Sequence, residues 1–237
     1  MSIVDTARQT KGDRTRALIL ETALELFRER GYDDTTMRAI ADRAGVAVGN
    51  AYYYFRSKEH LIQAYYERSL ADHLTAVEGA LQRERTLAGR LRALILTRLD
   101  TAEPYHRFAA QLFRTAADPE SPLNPFSEAS RETRERAIAL TARVIDGANV
   151  KVPADLRAEL PRLVWMWEMG IVLHWIHDRS PGRRRTRRLA RRSADLIARV
   201  ISLASNPLLL PVRKAVLALL VDLDKDSEDD NEDEAGG

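Results

Sequence analysis

The sequence has no cysteine, few aromatic residues and little lysine. Without cysteine in its 237 residues, the chain can form neither a disulfide framework nor a thiolate nucleophile. Aromatic residues make up 6% of the sequence, and nearly all of the 37 basic residues are arginine. These absences exclude small disulfide-stabilised secreted proteins and enzymes that depend on cysteine.

Long apolar runs are also missing. The longest apolar stretch, Leu163–Ile176, is interrupted by Glu168 and is shorter than the roughly 20 residues that a membrane-spanning helix needs. Segment 1–16 lacks the apolar region of a secretion signal. We therefore expect no membrane partner and a cytoplasmic location, in association with the nucleoid if the chain binds DNA.

No convincing catalytic set is present in the sequence. There is no glycine-rich phosphate-binding loop, and the histidines lack the convergent acid, base or nucleophile that a helical enzyme would need. His174, His177 and Asp178 have the i, i+3, i+4 spacing of helical metal ligands, but no fourth ligand accompanies them. An ordinary helix end explains them better, so we predict no enzyme activity, no metal and no cofactor.

What the sequence does contain is helical periodicity throughout, with a 45% apolar share that supports a sizeable core. We predict an all-α fold in which an N-terminal three-helix domain is joined by a long helix to a larger helical ligand-binding and dimerisation domain. The predicted domains are 1–56, 57–221 and an acidic, disordered tail, 222–237. Apart from the two short helices within 36–55, the predicted helices cover 14–30, 57–83, 86–102, 104–116, 126–149, a segment after 153 ending near 178, 183–205 and 207–221.

The most informative segment is Thr36–Phe55, TMRAIADRAGVAVGNAYYYF. Thr35 or Thr36 can cap a first helix, and Gly45 lies where that helix must stop in a left-handed conformation. A second short helix follows and ends in three tyrosines. This helix–glycine–helix pattern is typical of a helix-turn-helix motif, whose second helix enters the major groove of DNA.

The second helix begins with short side chains, which allow its backbone to approach base edges. Asn50 can pair with adenine, Ala47 or Val48 can contact a thymine methyl group, and tyrosine hydroxyls suit phosphate oxygens. Lys58 lies in the first turn of the next helix, where backbone N–H groups and an ammonium favour phosphate. The predicted DNA-binding residues are Thr36, Arg38, Ala47, Val48, Gly49, Asn50, Tyr52, Tyr53 and Lys58. The alternative is a small helical bundle without a DNA-binding role.

The segment DTTMRAIADRAGVAVGNAYYYFRSKEHL resembles the DNA-binding domain of TetR-family transcriptional regulators. The preceding Thr15–Thr36 resembles that family's first helix, so the likeness covers roughly Asp13–Tyr66. It implies a homodimer that binds double-stranded operator DNA and releases it when a small molecule enters the C-terminal domain. Val48-Gly49-Asn50 is less basic than many recognition helices, which suggests few charged base contacts.

Two helices are candidates for a dimer surface. Leu163–Ile176 is apolar on all sides, so every side of this helix must be covered. One side can face the core of its own subunit and the other a partner subunit. The resemblance places dimerisation on this helix and the next, with Trp167, Ile171, Trp175, Leu189, Leu196 and Val200 as predicted interface residues. A monomeric core helix is the alternative.

The resemblance also implies an effector pocket among the middle helices. The predicted lining residues are Leu91, Ile95, Leu99, Tyr105, Phe108, Leu112, Phe113, Trp165, Glu168 and Met169. Their composition favours an apolar effector of unknown identity. Each of these positions has plain core packing as an alternative.

Charge is unevenly distributed along the chain, although the net charge is only +2. Asp222–Glu234 holds nine acidic residues and one lysine, while residues 179–192 hold eight arginines. The arginine run is either a second nucleic-acid site or a solvated helix start partly neutralised by the acidic tail.

From the sequence we predict a ligand-responsive, homodimeric transcriptional repressor. The alternative is a helix-turn-helix activator or constitutive DNA-binding factor with a solid C-terminal core and no effector pocket.

Overall fold

The computed structural model describes residues 10–206, 208, 210–211, 213–215 and 218, with only the backbone of 111 and 114. Among these residues there are helices, turns and short 3-10 segments but no strand, which confirms the all-α prediction. The helices are α1 Lys11–Arg30, α2 Met37–Ala44, α3 Val48–Tyr54, α4 Lys58–Arg83, α5 Leu87–Ala102, α6 His106–Ala116, α7 Arg131–Asp146, α8 Ala154–Arg157, α9 Leu160–His177 and α10 Arg184–Leu203. The acidic tail lies outside the described residues, as does most of the helix predicted over 207–221.

Helix α1 begins earlier than predicted because Thr10 and Asp13 form a reciprocal capping box. The Thr10 hydroxyl accepts from the Asp13 backbone N–H at 3.1 Å, and the Asp13 carboxylate accepts from the Thr10 N–H at 2.9 Å. The capping box thereby satisfies two N–H groups at the start of the helix that have no partner within it. At its other end, the helix stops at Gly31, which has φ 94°.

The largest departure from the predicted helices is after Pro125. A helix was expected from Phe126, but α7 starts at Arg131, after a 3-10 turn over Glu128–Ser130. Arg134 donates to the carbonyls of Pro125 and Ser127 at 2.9 and 3.0 Å, which holds this stretch as a loop. Because that hydrogen bonding is between residues seven to nine positions apart, helical periodicity alone does not reveal it.

The loop between α6 and α7 is fastened to the long helix α4. Gln63 donates to the Pro122 carbonyl at 2.7 Å, and the Tyr66 hydroxyl donates to the Leu123 carbonyl at 3.0 Å. Phe126 packs edge-on against Trp165 of α9, with ring centroids 5.3 Å apart. The loop therefore spans from α4 to α9 across one end of the C-terminal domain.

The opposite end of this domain is organised by a buried arginine on α5. Arg90 is 6% exposed, and its guanidinium donates to four backbone carbonyls. The acceptors are Leu81 at 2.6 Å, Glu84 at 3.0 Å, Arg143 at 2.9 Å and Val144 at 2.7 Å. They lie at the C-terminal ends of α4 and α7, where carbonyls lack helical partners. One side chain thus joins α4, α5 and α7.

A second buried polar cluster joins α4, α5 and α9. Glu168 is 1% exposed and accepts from Arg98 Nε at 2.8 Å. His73 is fully buried, its Nε2 lies 2.9 Å from the Leu94 carbonyl, and its Nδ1 is 3.9 Å from Glu168 Oε1. Burial, and secondarily the nearby Arg98, lowers the pKa of His73 to about 3. His73 is therefore neutral at physiological pH.

Among the described residues, none of the helices has both the length and the apolar character that crossing a bilayer requires.

Gly147 tests the role of Arg90. A Cβ atom at Gly147 would overlap the Arg90 guanidinium, although the glycine has an ordinary φ of −80°. We expect Gly147→Ala to lower the free energy of unfolding by about 1–3 kcal/mol, the usual cost of overpacking, as measured by urea denaturation. Gly79→Ala, in α4, has room for its methyl group and should be neutral or stabilising by up to about 1 kcal/mol. Equal effects of the two substitutions would contradict this role.

His73 should make the stability of the protein depend on pH. Its folded pKa of about 3 lies below the ordinary value of about 6.5. The unfolded chain therefore takes up a proton that the folded chain does not, and stability is lost as the pH falls from 6.5 towards 3. We expect the urea midpoint of His73→Gln to fall less steeply between pH 6.5 and pH 4 than that of the unsubstituted protein. His60→Gln, at an exposed site on the same helix, is the control; a His73→Gln slope equal to that of the control would refute the assignment.

Candidate nucleic-acid interface and ligand cavity

The turn between α2 and α3 has the backbone that the sequence predicts. Thr36 caps α2, its hydroxyl accepting from the Ala39 N–H at 3.1 Å. Gly45 adopts the left-handed conformation, with φ 67° and ψ 31°. The Val46 N–H then donates back to the Ala41 carbonyl at 3.0 Å, closing the helix end. The two helices of the motif are thereby held in a fixed relation.

Most of the predicted DNA-binding side chains are exposed together on this motif. The exposed residues are Thr36, Arg38, Ala47, Gly49, Asn50, Tyr52 and Tyr53. Tyr53 is the most exposed of the tyrosines, at 81%, whereas Phe55 is buried and anchors the end of α3. Val48 is half-buried and packs against the N-terminal core, so it has less surface for a base contact than Ala47.

Lys58 has an intramolecular role in addition to the predicted phosphate contact. Its ammonium donates to the Tyr32 carbonyl at 2.7 Å and to the Asp33 carbonyl at 3.3 Å, and it lies 4.3 Å from the centroid of the Tyr32 ring. The Tyr32 hydroxyl in turn donates to Glu59 at 2.8 Å. Lys58 therefore joins the α1–α2 loop to α4.

Two exposed cations near the motif were not among the predicted contacts. Arg56 follows the recognition helix α3 directly, and Lys11 lies in the first turn of α1. That turn is close to α3, because a Cβ at Gly12 would lie 3.5 Å from the Tyr54 hydroxyl. Lys11 is distant from α3 in the sequence, and only the packing of α1 beside α3 shows that it lies near the motif.

A cavity of about 600 Å³ lies in the C-terminal domain, beneath the loop between α6 and α7. Its walls come from α4, α5, α6, α7, α9 and that loop, and they are mainly apolar and aromatic. The volume is within the range of about 300–1,000 Å³ that is usual for small-molecule sites.

Four of the ten predicted pocket residues line this cavity: Leu112, Phe113, Trp165 and Met169. The other six do not. Leu91, Ile95 and Leu99 are buried in apolar clusters elsewhere along α5. Tyr105 and Phe108 pack in the N-terminal core, and Glu168 is engaged by Arg98. The cavity is also lined by six residues that the sequence did not indicate: Tyr65, Tyr66, Leu70, Arg98, Phe126 and Arg134.

Two comparisons with known families cover most of the chain. Residues 19–65 match the family described as bacterial regulatory proteins, tetR family. Residues 90–220 match the tetracyclin repressor-like C-terminal domain, which is more than half of the chain. The chain belongs to the TetR family. The motif α2–α3 lies within the match to the family of bacterial regulatory proteins and is the family's helix-turn-helix.

Individual HTH-type transcriptional regulators are similar to only part of the chain. The chain is 40% identical over 75 residues to the HTH-type transcriptional regulator UidR of Escherichia coli K12, covering 30% of this chain and 38% of UidR. It is 39% identical over 83 residues to the HTH-type transcriptional repressor KstR of Mycobacterium tuberculosis, covering 32% of this chain and 38% of KstR. The matched segments thus span less than half the length of these relatives.

Similarity to solved structures extends over both domains. A TetR transcriptional regulator from Nitrosomonas europaea aligns with a TM-score of 0.59 and 23% identity, covering 78% of this chain and 98% of that one. At this identity the likeness concerns the fold alone.

The family's last two main helices present an exposed apolar surface here, although not all the predicted residues contribute. Ile171 and Trp175 are buried in the protomer's own core, at 4% and 1% exposed, so their assignment to a partner-facing surface is wrong. Trp167 is half-buried and donates to Ser193 at 3.0 Å. The exposed apolar residues, which we call the apolar face, are Met166 and Leu173 on α9 and Leu189, Leu196, Val200 and Leu203 on α10.

Histidines near the end of α9 also have partners. His174 lies 2.8 Å from the Thr186 hydroxyl, and His177 lies 2.9 Å from the Leu173 carbonyl. The Asp178 carboxylate accepts from the Ser180 and Thr186 backbone N–H groups at 2.8 and 2.9 Å. These contacts join α9 to the start of α10.

The exposed Asn50 on α3 and the half-buried Lys58 at the start of α4 are predicted to have separate roles in DNA binding. Asn50→Ala should remove about 1–3 kcal/mol of discrimination at one base pair, relaxing sequence preference. Lys58→Ala should weaken binding to all sequences and reduce the salt slope by about one. Fluorescence anisotropy with specific and scrambled duplexes at several salt concentrations measures both effects.

Two further variants serve as controls, and circular dichroism checks that Lys58→Ala, which loses the contacts to the α1–α2 loop, is folded. Asn149→Ala, an exposed asparagine beyond α7, should leave DNA binding unchanged. Tyr53→Phe removes one hydroxyl without disturbing the Lys58 contacts, and should weaken all sequences alike. If Asn50→Ala and Lys58→Ala act in the same way on every sequence, the division of roles is wrong.

Proposed function

We propose that this TetR-family regulator is a homodimeric repressor that leaves its operator when a small, largely apolar molecule enters the cavity. The observation that carries this proposal is the position of α6 between the cavity and the DNA-binding domain. Leu112 and Ala116 line the cavity and also belong to the apolar cluster that forms the core of the DNA-binding domain.

The contact between α6 and α1 is close. The rings of Phe108 and Phe27 stack with centroids 5.6 Å apart and planes inclined by 7°. Both side chains are fully buried. Because a packed core transmits displacement rather than absorbing it, a ligand that shifts α6 also shifts α1.

Helix α4 provides a second connection. It runs without interruption from Lys58 to Arg83. Tyr65, Tyr66 and Leu70 of this helix line the cavity, while Lys58 at its start holds the α1–α2 loop. A ligand in the cavity therefore touches the helix whose first turn supports the DNA-binding motif.

The apolar face supports the dimer. Leu196, Val200 and Leu203 are each more than half exposed, and large contiguous apolar surfaces on a soluble chain mark interaction sites. Met166 and Leu173 belong to this face and also line the cavity. A partner seated there would cover part of the cavity wall, so ligand binding and dimer geometry are coupled in this proposal.

The cavity itself disfavours the alternative of an activator or constitutive factor with a solid C-terminal core. A solid core was the feature that distinguished the alternative, and about 600 Å³ of space is present instead. We propose repression as the direction of regulation because KstR, one of the similar proteins, is named a transcriptional repressor.

Selection of bound sequences from random DNA tests the proposal. The purified protein should enrich a two-fold symmetric site whose half-sites are about 10 base pairs apart or a multiple of that spacing. Leu196→Asp places a charge on the apolar face without touching the protomer core. It should yield a monomer in sedimentation experiments and lose enrichment of the full site.

The matched control for oligomeric state is Leu18→Asp. Leu18 is also an exposed leucine but lies on α1, away from the apolar face, so this variant should remain dimeric. A Leu196→Asp protein that stays dimeric would show that the interface lies elsewhere. Failure of the unsubstituted protein to enrich any site would overturn the repressor proposal as a whole.

A further inference from the structure

The charged residues that line the cavity are all of one sign. Arg98 and Arg134 are the only charged side chains in the described wall, which contains no aspartate, glutamate, lysine or histidine. Guanidinium groups remain protonated at any physiological pH. A mainly apolar space therefore contains two permanent cations.

Arg98 is held so that only part of its hydrogen-bonding capacity is used. Its Nε donates to the buried Glu168 at 2.8 Å, and the arginine side chain is itself only 12% exposed. Its Nη1 and Nη2 groups make no hydrogen bond to any residue that the structure describes. Glu168 thus orients the guanidinium and leaves the terminal N–H groups for another acceptor.

Arg134 adds a charge that no acid balances. Its Nη1 donates to the Pro125 and Ser127 carbonyls, which are neutral acceptors. No acidic side chain pairs with it within the described ranges. Because Glu168 matches the charge of Arg98, the charged side chains of the described wall, taken together with Glu168, carry one net positive charge.

Tyr65 supplies a further donor at the same cavity. Its side chain is buried, and burial raises the pKa of its hydroxyl, so the hydroxyl stays protonated. Within the described residues, this hydroxyl has no hydrogen-bond partner, unlike that of Tyr66, which donates to Leu123. Tyr65 and Arg98 both line the cavity.

We propose that the cavity binds an amphipathic carboxylate, whose anionic head accepts hydrogen bonds from the Arg98 terminal N–H groups and the Tyr65 hydroxyl. Its apolar body lies against Leu112, Phe113, Trp165 and Met169. This inference rests on the proposed function in taking the cavity as the effector site, and it specifies the chemical class of the effector. A neutral ligand of the same shape would fill the apolar part but would offer the terminal N–H groups of Arg98 no charged acceptor.

Intrinsic tryptophan fluorescence measures binding directly, because Trp165 and Trp175 line the cavity. The probes are two matched pairs, dodecanoate with dodecanamide and 1-naphthoate with 1-naphthamide. The first pair represents alkyl carboxylates and the second aryl carboxylates. In at least one pair, we expect the carboxylate to bind about tenfold or more tightly than its amide.

The variant that tests Arg98 must not leave Glu168 as an unpaired buried charge. Arg98→Met/Glu168→Met removes both charges, and circular dichroism checks that it is folded. Its preference for the carboxylate over the amide should fall markedly, because the cation that contacts the anionic head is gone, although Arg134 keeps its charge. Arg92→Met, on the same helix but paired with Asp195 at the surface, should keep the preference of the unsubstituted protein.

The outcomes separate this inference from the proposed function. Amides that bind as tightly as carboxylates would overturn the carboxylate assignment while leaving the cavity as an effector site. A double variant that keeps the preference would also overturn it. If none of the four probes binds, the carboxylate site is rejected. Release of operator DNA by a probe that binds is measured separately, and its absence would contradict the proposed function alone.

Discussion

The burial of Arg90 is the interaction on which the shape of the C-terminal domain depends. Removing a guanidinium from water is costly, and the four carbonyls around Arg90 offset that cost only while the ends of α4 and α7 stay in place. The surrounding residues, among them Leu81, Leu91 and Val144, form a solid apolar cluster. One end of the bundle is thereby fixed and filled, which confines the cavity to the other end.

This division explains why some of the predicted pocket residues do not line the cavity. Leu91, Ile95 and Leu99 have the same apolar, helical spacing as the residues that line the cavity. The sequence pattern alone therefore does not show which apolar residues pack in a filled core and which border a cavity. The difference arises from the loop between α6 and α7. Its attachment to Gln63 and Tyr66 leaves space above Trp165 and Met169. Contacts between residues about sixty positions apart are not encoded in local periodicity.

The helix-turn-helix motif was predictable for the opposite reason. The Thr36 hydroxyl accepts a hydrogen bond from the backbone N–H of a residue only three positions away. The left-handed conformation of Gly45 is required by the turn itself. Helix α9 is an intermediate case. Its apolar character on all sides predicts two covered faces, but only packing shows that Trp175 faces the protomer core while Leu173 faces outward. Arg90 had no sequence signal at all, since an arginine in an amphipathic helix is normally expected at the surface.

Under the proposed function, the shared position of Leu112 also constrains how this protein can acquire new ligand specificity during evolution. A substitution there that reshapes the cavity also alters the core beneath α1, so a gain in binding would be accompanied by altered operator affinity. Residues of the opposite wall, such as Phe126 and Met169, line the cavity without belonging to the DNA-binding core. Variation among paralogues that sense different molecules but keep similar operators is therefore expected to concentrate on that wall.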